Sequence, residues 1–135
     1  MNTGNPDTMN KIHLILFIMT KINFNDTDLL VFITNYADGK IAIMLIEEET
    51  NEPYCTATVN TPITLYDNEV VIKHYSENVG VYEALVNAKV IAPAHRYTSS
   101  GYINRIPVCK LLIEKEITIK PNKDFDNEQA TSILN

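Results

Sequence analysis

The chain has 135 residues, of which 45% are apolar and 21% charged, the size and composition of one globular domain. A globule of this length buries roughly two thirds of its unfolded surface, enough for a core without metal or disulfide staples. Its 17 acidic and 11 basic residues leave a net charge of −6, which opposes nonspecific nucleic-acid binding and attachment to anionic membranes, since both need basic surface.

The stretch Ile12 to Met19 is strongly apolar. It is shorter than the roughly 20 residues that cross a bilayer, and it lacks the basic start and small-residue cleavage site of a signal peptide. Residues 1–19 therefore read as an N-terminal extension whose apolar part must be covered, with Met19 as a second candidate translation start. A single domain is expected over residues 20–120 and a polar, flexible tail over 121–135.

Lys21 to Asn25 reads as a short strand, Asp26-Thr27-Asp28 as a turn, and Leu29 to Asn35 as an apolar, β-branched strand. Asp38-Gly39 is the strongest hairpin signal, because it accepts the positive φ that a tight turn needs. Lys40 to Glu47 is the return strand. Ile41, Ile43 and Leu45 share one of its faces and Ala42, Met44 and Ile46 the other, so it should be central or covered on both sides. The acidic run Glu47-Glu48-Glu49 marks a solvated turn. Tyr54 to Asn60 then alternates with period two until Thr61-Pro62 breaks the strand. Asp67-Asn68-Glu69 turns, and Val70 to Tyr75 is the next strand. Ser76 is the expected N-cap of a helix over Glu77 to Lys89, with Val81, Leu85 and Ala88 on one stripe. Gly80 weakens the first turn by about 1 kcal/mol against alanine, which points to a close backbone approach there. Val90 to Ala92 is a short strand stopped by Pro93. Ala94 to Gly101 reads as loop, and Tyr102 to Ile113 as one or two strands with Pro107 at an edge or bulge. Ile117 to Ile119 predicts a last edge strand. The sum is an α+β fold, a mainly antiparallel β-sheet with one α-helix packed on one face; a small, partly closed barrel is the alternative.

No catalytic constellation emerges. His13, His74 and His95 have no helical i,i+4 partner and no second ligand type beside them, so neither metal nor cofactor is expected. Ser76, Ser99 and Ser100 lack a nucleophile-elbow setting, and no Gly-x-Gly occurs to cradle a phosphate. Cys55 and Cys109 lie in apolar segments without Cys-x-x-Cys spacing and read as reduced thiols in a cytoplasmic protein. Lys110, beside Cys109, is the one neighbour that would activate a thiol. The chain is therefore not expected to be an enzyme. Its seven tyrosines include Tyr75, Tyr97 and Tyr102. The last two stand near both arginines, Arg96 and Arg105, and tyrosine and arginine are the anchors that protein interfaces prefer.

Four segments carry a family likeness: Tyr36-Ala37-Asp38-Gly39; Glu52-Pro53-Tyr54 through Val59-Asn60; Tyr75-Ser76-Glu77-Asn78-Val79-Gly80; and Ser100-Gly101-Tyr102 with Pro107-Val108-Cys109-Lys110-Leu111. Together they resemble a small bacterial family of unknown function carried on conjugative elements, plasmids and prophages. The likeness covers residues 20–113. Val79 stands where that pattern is often acidic, and Cys55 is not expected in it. The resemblance implies a mobile-element accessory protein, of the anti-CRISPR kind, that binds and inhibits a host defence complex, a CRISPR effector nuclease among the candidates. The expected partner is then a protein, met through Tyr75, Glu77, Asn78, Arg96, Tyr97, Tyr102 and Arg105, with no direct nucleic-acid or membrane contact. The alternative is a self-associating structural or maintenance protein of a plasmid or conjugative element, a homodimer completed through Ile12 to Met19.

Overall fold

The computed structural model describes residues 20–113. The expected strand at Ile117–Ile119, the apolar stretch Ile12–Met19 and the 121–135 tail lie outside them. The described residues form β1 (Lys21–Phe24), β2 (Thr27–Asn35), β3 (Ile41–Glu47), β4 (Pro53–Thr56), β5 (Glu69–Val71), a 3₁₀ turn (Ser76–Asn78), α1 (Val81–Asn87), β6 (Arg96–Ser100) and β7 (Ile103–Lys110). One sheet has the order β1-β2-β3-β4 and the other β5-β7-β6. Every pairing is antiparallel. The fold is mostly antiparallel β-sheet with one short helix, as expected, but in two sheets rather than one.

Local chemistry sets the turns. Asn25 and Asp26 both take positive φ, 55° and 59°, and make the two-residue turn that suits the twist of a hairpin. Short polar side chains tolerate this region best, so β2 begins at Thr27 and not, as expected, after Asp28. The Asp38-Gly39 turn forms as predicted: the Gly39 N–H donates to the Tyr36 carbonyl at 2.9 Å, and Asp38 Oδ1 accepts from the Lys40 N–H at 3.0 Å.

β3 is central in its sheet and buries Ile43 and Leu45 completely. The strand expected through Asn60 stops at Thr56, because residues 57–59 bridge to the second sheet. The Ala57 N–H reaches the Ile43 carbonyl (2.8 Å), and the Ala57 carbonyl accepts from the Lys73 N–H (2.8 Å). Val59 N–H donates to the Val71 carbonyl (3.0 Å). Thr58 Oγ1 takes the Ile43 N–H at 3.1 Å, replacing a ladder bond.

The main core joins Leu29, Val31, Ile43 and Leu45 to Val70, Ile72 and Cys109 and to Val81 and Leu85 of α1. A smaller cluster of Val71, Ile106 and Val108 lies on the other side of the second sheet, under Val59, Ile63 and Leu65. Alternation along β5 sends Val70 to the first core and Val71 to the second.

Three further expectations are corrected. Residues 94–101 are not a loop, since Arg96–Ser100 is a strand paired with β7. The helix is shorter than expected, and Ser76 does not cap it: Ser76 has φ of +57° and opens the separate 3₁₀ turn, while Gly80, at φ +96°, is the N-cap of α1. Pro107 lies inside the central strand of its sheet. Its carbonyl accepts the Ile72 N–H at 2.9 Å, and it has no N–H to return. β5 ends at Val71, so the proline falls where that ladder has run out.

Candidate protein-interaction surface

The β6–β7 hairpin turns through Gly101, at φ +59°, and Tyr102. Tyr102 is wholly exposed at 101%, and Tyr97 on β6 is 42% exposed. The Arg105 guanidinium lies 4.1 Å from the Tyr97 ring centroid, well within cation–π range. This stacking depends on a bulge. Between the pairs Thr98↔Ile106 and Ser100↔Ile103, β7 has one residue more than β6. Arg105 absorbs it with φ of +54°. Such a conformation costs an L-residue on the order of 1 kcal/mol, and bulges re-aim side chains. Here the re-aimed group is an exposed arginine seated on a tyrosine. Among the described residues Arg105 has no carboxylate within ion-pair distance.

Arg96 has a different role. Its Nη2 stands 2.7 Å from Oε1 and its Nε 3.2 Å from Oε2 of Glu69, a carboxylate buried at the start of β5. The same Nη2 donates to the Thr64 carbonyl at 2.9 Å, and the guanidinium lies 5.6 Å from the Tyr66 ring. His95 Nε2 meets Glu69 Oε2, and the Tyr66 N–H donates to Oε1 at 2.9 Å. Arg96, assisted by Tyr66 and His95 and against the effect of burial, holds the Glu69 carboxyl down at about 2. This cluster fastens the 64–66 loop to the sheet, so Arg96 is a structural cation. Sequence reading placed Glu69 in a turn and missed it.

Of the remaining expected residues, Tyr75 and Glu77 border a cleft of about 460 Å³ with Tyr36, Thr58 and Lys73. Lys73 Nζ pairs with Glu77 Oε2 at 2.7 Å, which lowers the Glu77 carboxyl and raises the Lys73 amine. Tyr75 is half-buried against the smaller core. Asn78 does not reach the surface at all. It is fully buried and donates to the Thr56 carbonyl at 2.8 Å, pinning the 3₁₀ turn to β4. A partner cannot touch it, which corrects its place among the expected contacts.

The chain was compared with protein-family models, curated proteins and solved structures. None matches.

The thiols are poor nucleophiles. Burial pushes the Cys109 thiol up to about 12, and burial followed by the Glu77 charge raises that of Cys55. Lys110 does not activate Cys109, because its ammonium reaches out to the Asp67 carbonyl at 3.2 Å. Among the described residues no three His, Cys, Asp or Glu side chains converge as a metal site, and no helix is long and apolar enough to cross a membrane.

Proposed function

We propose that the chain is a protein-binding module that makes contact through the β6–β7 hairpin, with Tyr97, Tyr102 and Arg105 as anchors. One observation carries this reading: Arg105 holds a strained backbone that seats its cation, unpaired with any carboxylate among the described residues, on an exposed tyrosine. Tyrosine and arginine dominate the energetics of protein interfaces, and local strain concentrates where function requires it. The proposed target is a host defence complex in the cytoplasm, a CRISPR effector nuclease first among candidates, and the chain is an accessory protein of a mobile element. The support for the target is the family resemblance, whose segments build the β2–β3 turn, β4 with its connector, the 3₁₀ turn and the β6–β7 hairpin.

The test immobilises the full chain against purified effector nucleases and follows target-DNA cleavage. Near-stoichiometric loss of cleavage is expected, weakened by Tyr102→Ala. Failure to bind any effector ends the CRISPR reading. Light scattering with and without residues 1–18 tests the alternative, self-association through Ile12–Met19; a dimer that needs those residues would favour it.

A further inference from the structure

Among the described residues β6 is an edge strand with one neighbour, in the order β5-β7-β6. Backbone alternation decides which of its groups are left open. The Pro107 carbonyl turns toward Ile72, so Ile106 and Val108 turn their amides toward β6, where their partners are Thr98 and Arg96. Tyr97 and Ser99 therefore direct N–H and C=O away from the sheet. No backbone group among the described residues meets them.

Open edges are templates for another strand and are usually blunted. The other edges are. β1 is four residues long and opens with Lys21; β4 is four residues long, opens with Pro53 and faces a register shift. β5 is met by Val59. β6, with the sequence Arg-Tyr-Thr-Ser-Ser, has neither lysine nor proline, and its one charged residue, Arg96, is tied to Glu69.

We infer that the free edge of β6 takes up an extended segment of the partner protein as a further strand, and that this segment places a carboxylate opposite Arg105. In such strand addition main-chain bonds give affinity and alternate side chains give specificity. Charge complementarity selects the occupant. Among the described residues Arg105 lacks a carboxylate, and the β6 of a second copy brings none, whereas an acidic segment supplies it. This inference rests on the protein-binding reading and specifies how the hairpin binds.

The experiment pans the full chain against a phage library of random peptides, in parallel with Ser99→Pro and Arg105→Glu. Ser99→Pro removes an outward N–H and leaves the β7 ladder intact. The expected winners alternate β-branched residues with at least one Asp or Glu. A synthetic winner should bind the wild type about tenfold or more tightly than either variant. It should lose affinity equally when alternate peptide nitrogens are methylated, an arm that does not depend on any variant folding. Amide exchange at Tyr97 and Ser99 should slow in the complex. Winners without carboxylates, indifference to N-methylation, or unchanged exchange at Tyr97 and Ser99 overturns the inference. Concentration-dependent protection of those two amides in the free protein overturns it in favour of a second copy. The two readings fail separately. If Ser99→Pro inhibits a nuclease as well as the wild type does, the docking mode is wrong and the inhibitory function stands. If no nuclease binds but peptides dock as described, the mode stands and the target is wrong.

Discussion

Arg96 Nη2 stands 2.7 Å from Oε1 of Glu69, a carboxylate only 4% exposed, and this contact is expected to make the stability of the fold depend on acid. The bidentate hydrogen bond from Arg96 is the main reason the carboxyl titrates at about 2 in place of 4.5. A carboxyl whose folded-state pKa is depressed stabilises the fold fully above its unfolded value, and the contribution is lost as pH falls through the folded one. Glu69→Gln should therefore cost about 3 kcal/mol at pH 7, the low end for removing one partner of a buried pair, since Arg96 is partly solvated. The gap between wild type and variant should close between pH 4.5 and 2. Urea midpoints across that range measure it; a gap independent of pH would show that Glu69 acts by packing alone.

The same contact changes what Arg96→Ala means. If Arg96 were a free surface anchor, its loss would weaken binding and spare the fold. Here it leaves the buried Glu69 without its main partner and releases the Thr64 carbonyl. A lower melting temperature is expected, with any binding defect following from it. Tyr102→Ala touches nothing in the fold and should change stability by less than about 0.5 kcal/mol. A thermal melt of each variant beside the wild type separates them, and an unchanged melting temperature for Arg96→Ala would refute the structural role.

The C-terminus of α1 offers a stabilising change. The Val90 N–H bonds the Leu85 carbonyl at 2.9 Å and the Lys89 N–H bonds the Val86 carbonyl at 3.0 Å. With Ala88 as C-cap, these are the two bonds of a Schellman motif, and Val90 and Leu85, both fully buried, are placed for its hydrophobic contact. The motif needs a left-handed residue after the cap, and Lys89 fills that position at φ +61° where glycine is usual. Lys89→Gly should stabilise the chain by about 1 kcal/mol, read as a raised denaturant midpoint with unchanged slope. A lowered midpoint would mean that the lysine side chain contributes more than its backbone strain.

The legible parts of the fold were those in which one segment carries its own signal. Ile43 and Leu45 announced the buried face of β3, and Asp38-Gly39 announced its turn. β6 was illegible because Arg-Tyr-Thr-Ser-Ser has no apolar alternation; its partner β7 makes it a strand. The helix start was misplaced because Ser76 looks like a cap, whereas the positive φ of Gly80 separates the 3₁₀ turn from α1. Within the candidate surface, Tyr97, Tyr102 and Arg105 stood out as residue types. The bulge that strains Arg105 arises from a register between strands, and the burial of Asn78 from packing, so neither is written in a local pattern. Glu69 was hidden for the same reason, its partner Arg96 lying 27 residues away.

Gly80 and Gly39 make a controlled pair. Both have positive φ, +96° and +93°, so alanine is strained at either. A Cβ at Gly80 would stand 3.4 Å from Phe24 Cε1, while one at Gly39 would meet nothing within 4 Å. Both substitutions should destabilise by about 1 kcal/mol or more, and the excess at Gly80 reports how closely α1 approaches β1. Equal losses in chemical denaturation would show that the Phe24 ring yields freely.

Arg105 separates stability from binding. Replacing it by glycine removes a backbone strain of about 1 kcal/mol and also a cation–π contact worth about 0.5–1 kcal/mol at an exposed site. The two nearly cancel, so Arg105→Gly should lie within about 0.5 kcal/mol of the wild type. Arg105→Val loses the same contact but keeps the strain, aggravated by branching at Cβ, and should be destabilised by more than about 1 kcal/mol. Both remove the cation that waits on Tyr97, so both should bind an acidic strand or an effector equally weakly. Denaturation curves and binding isotherms on the same samples decide the matter. If Arg105→Gly is as unstable as Arg105→Val, the contact with Tyr97 holds the hairpin together; if Arg105→Gly binds as the wild type does, Arg105 is no anchor.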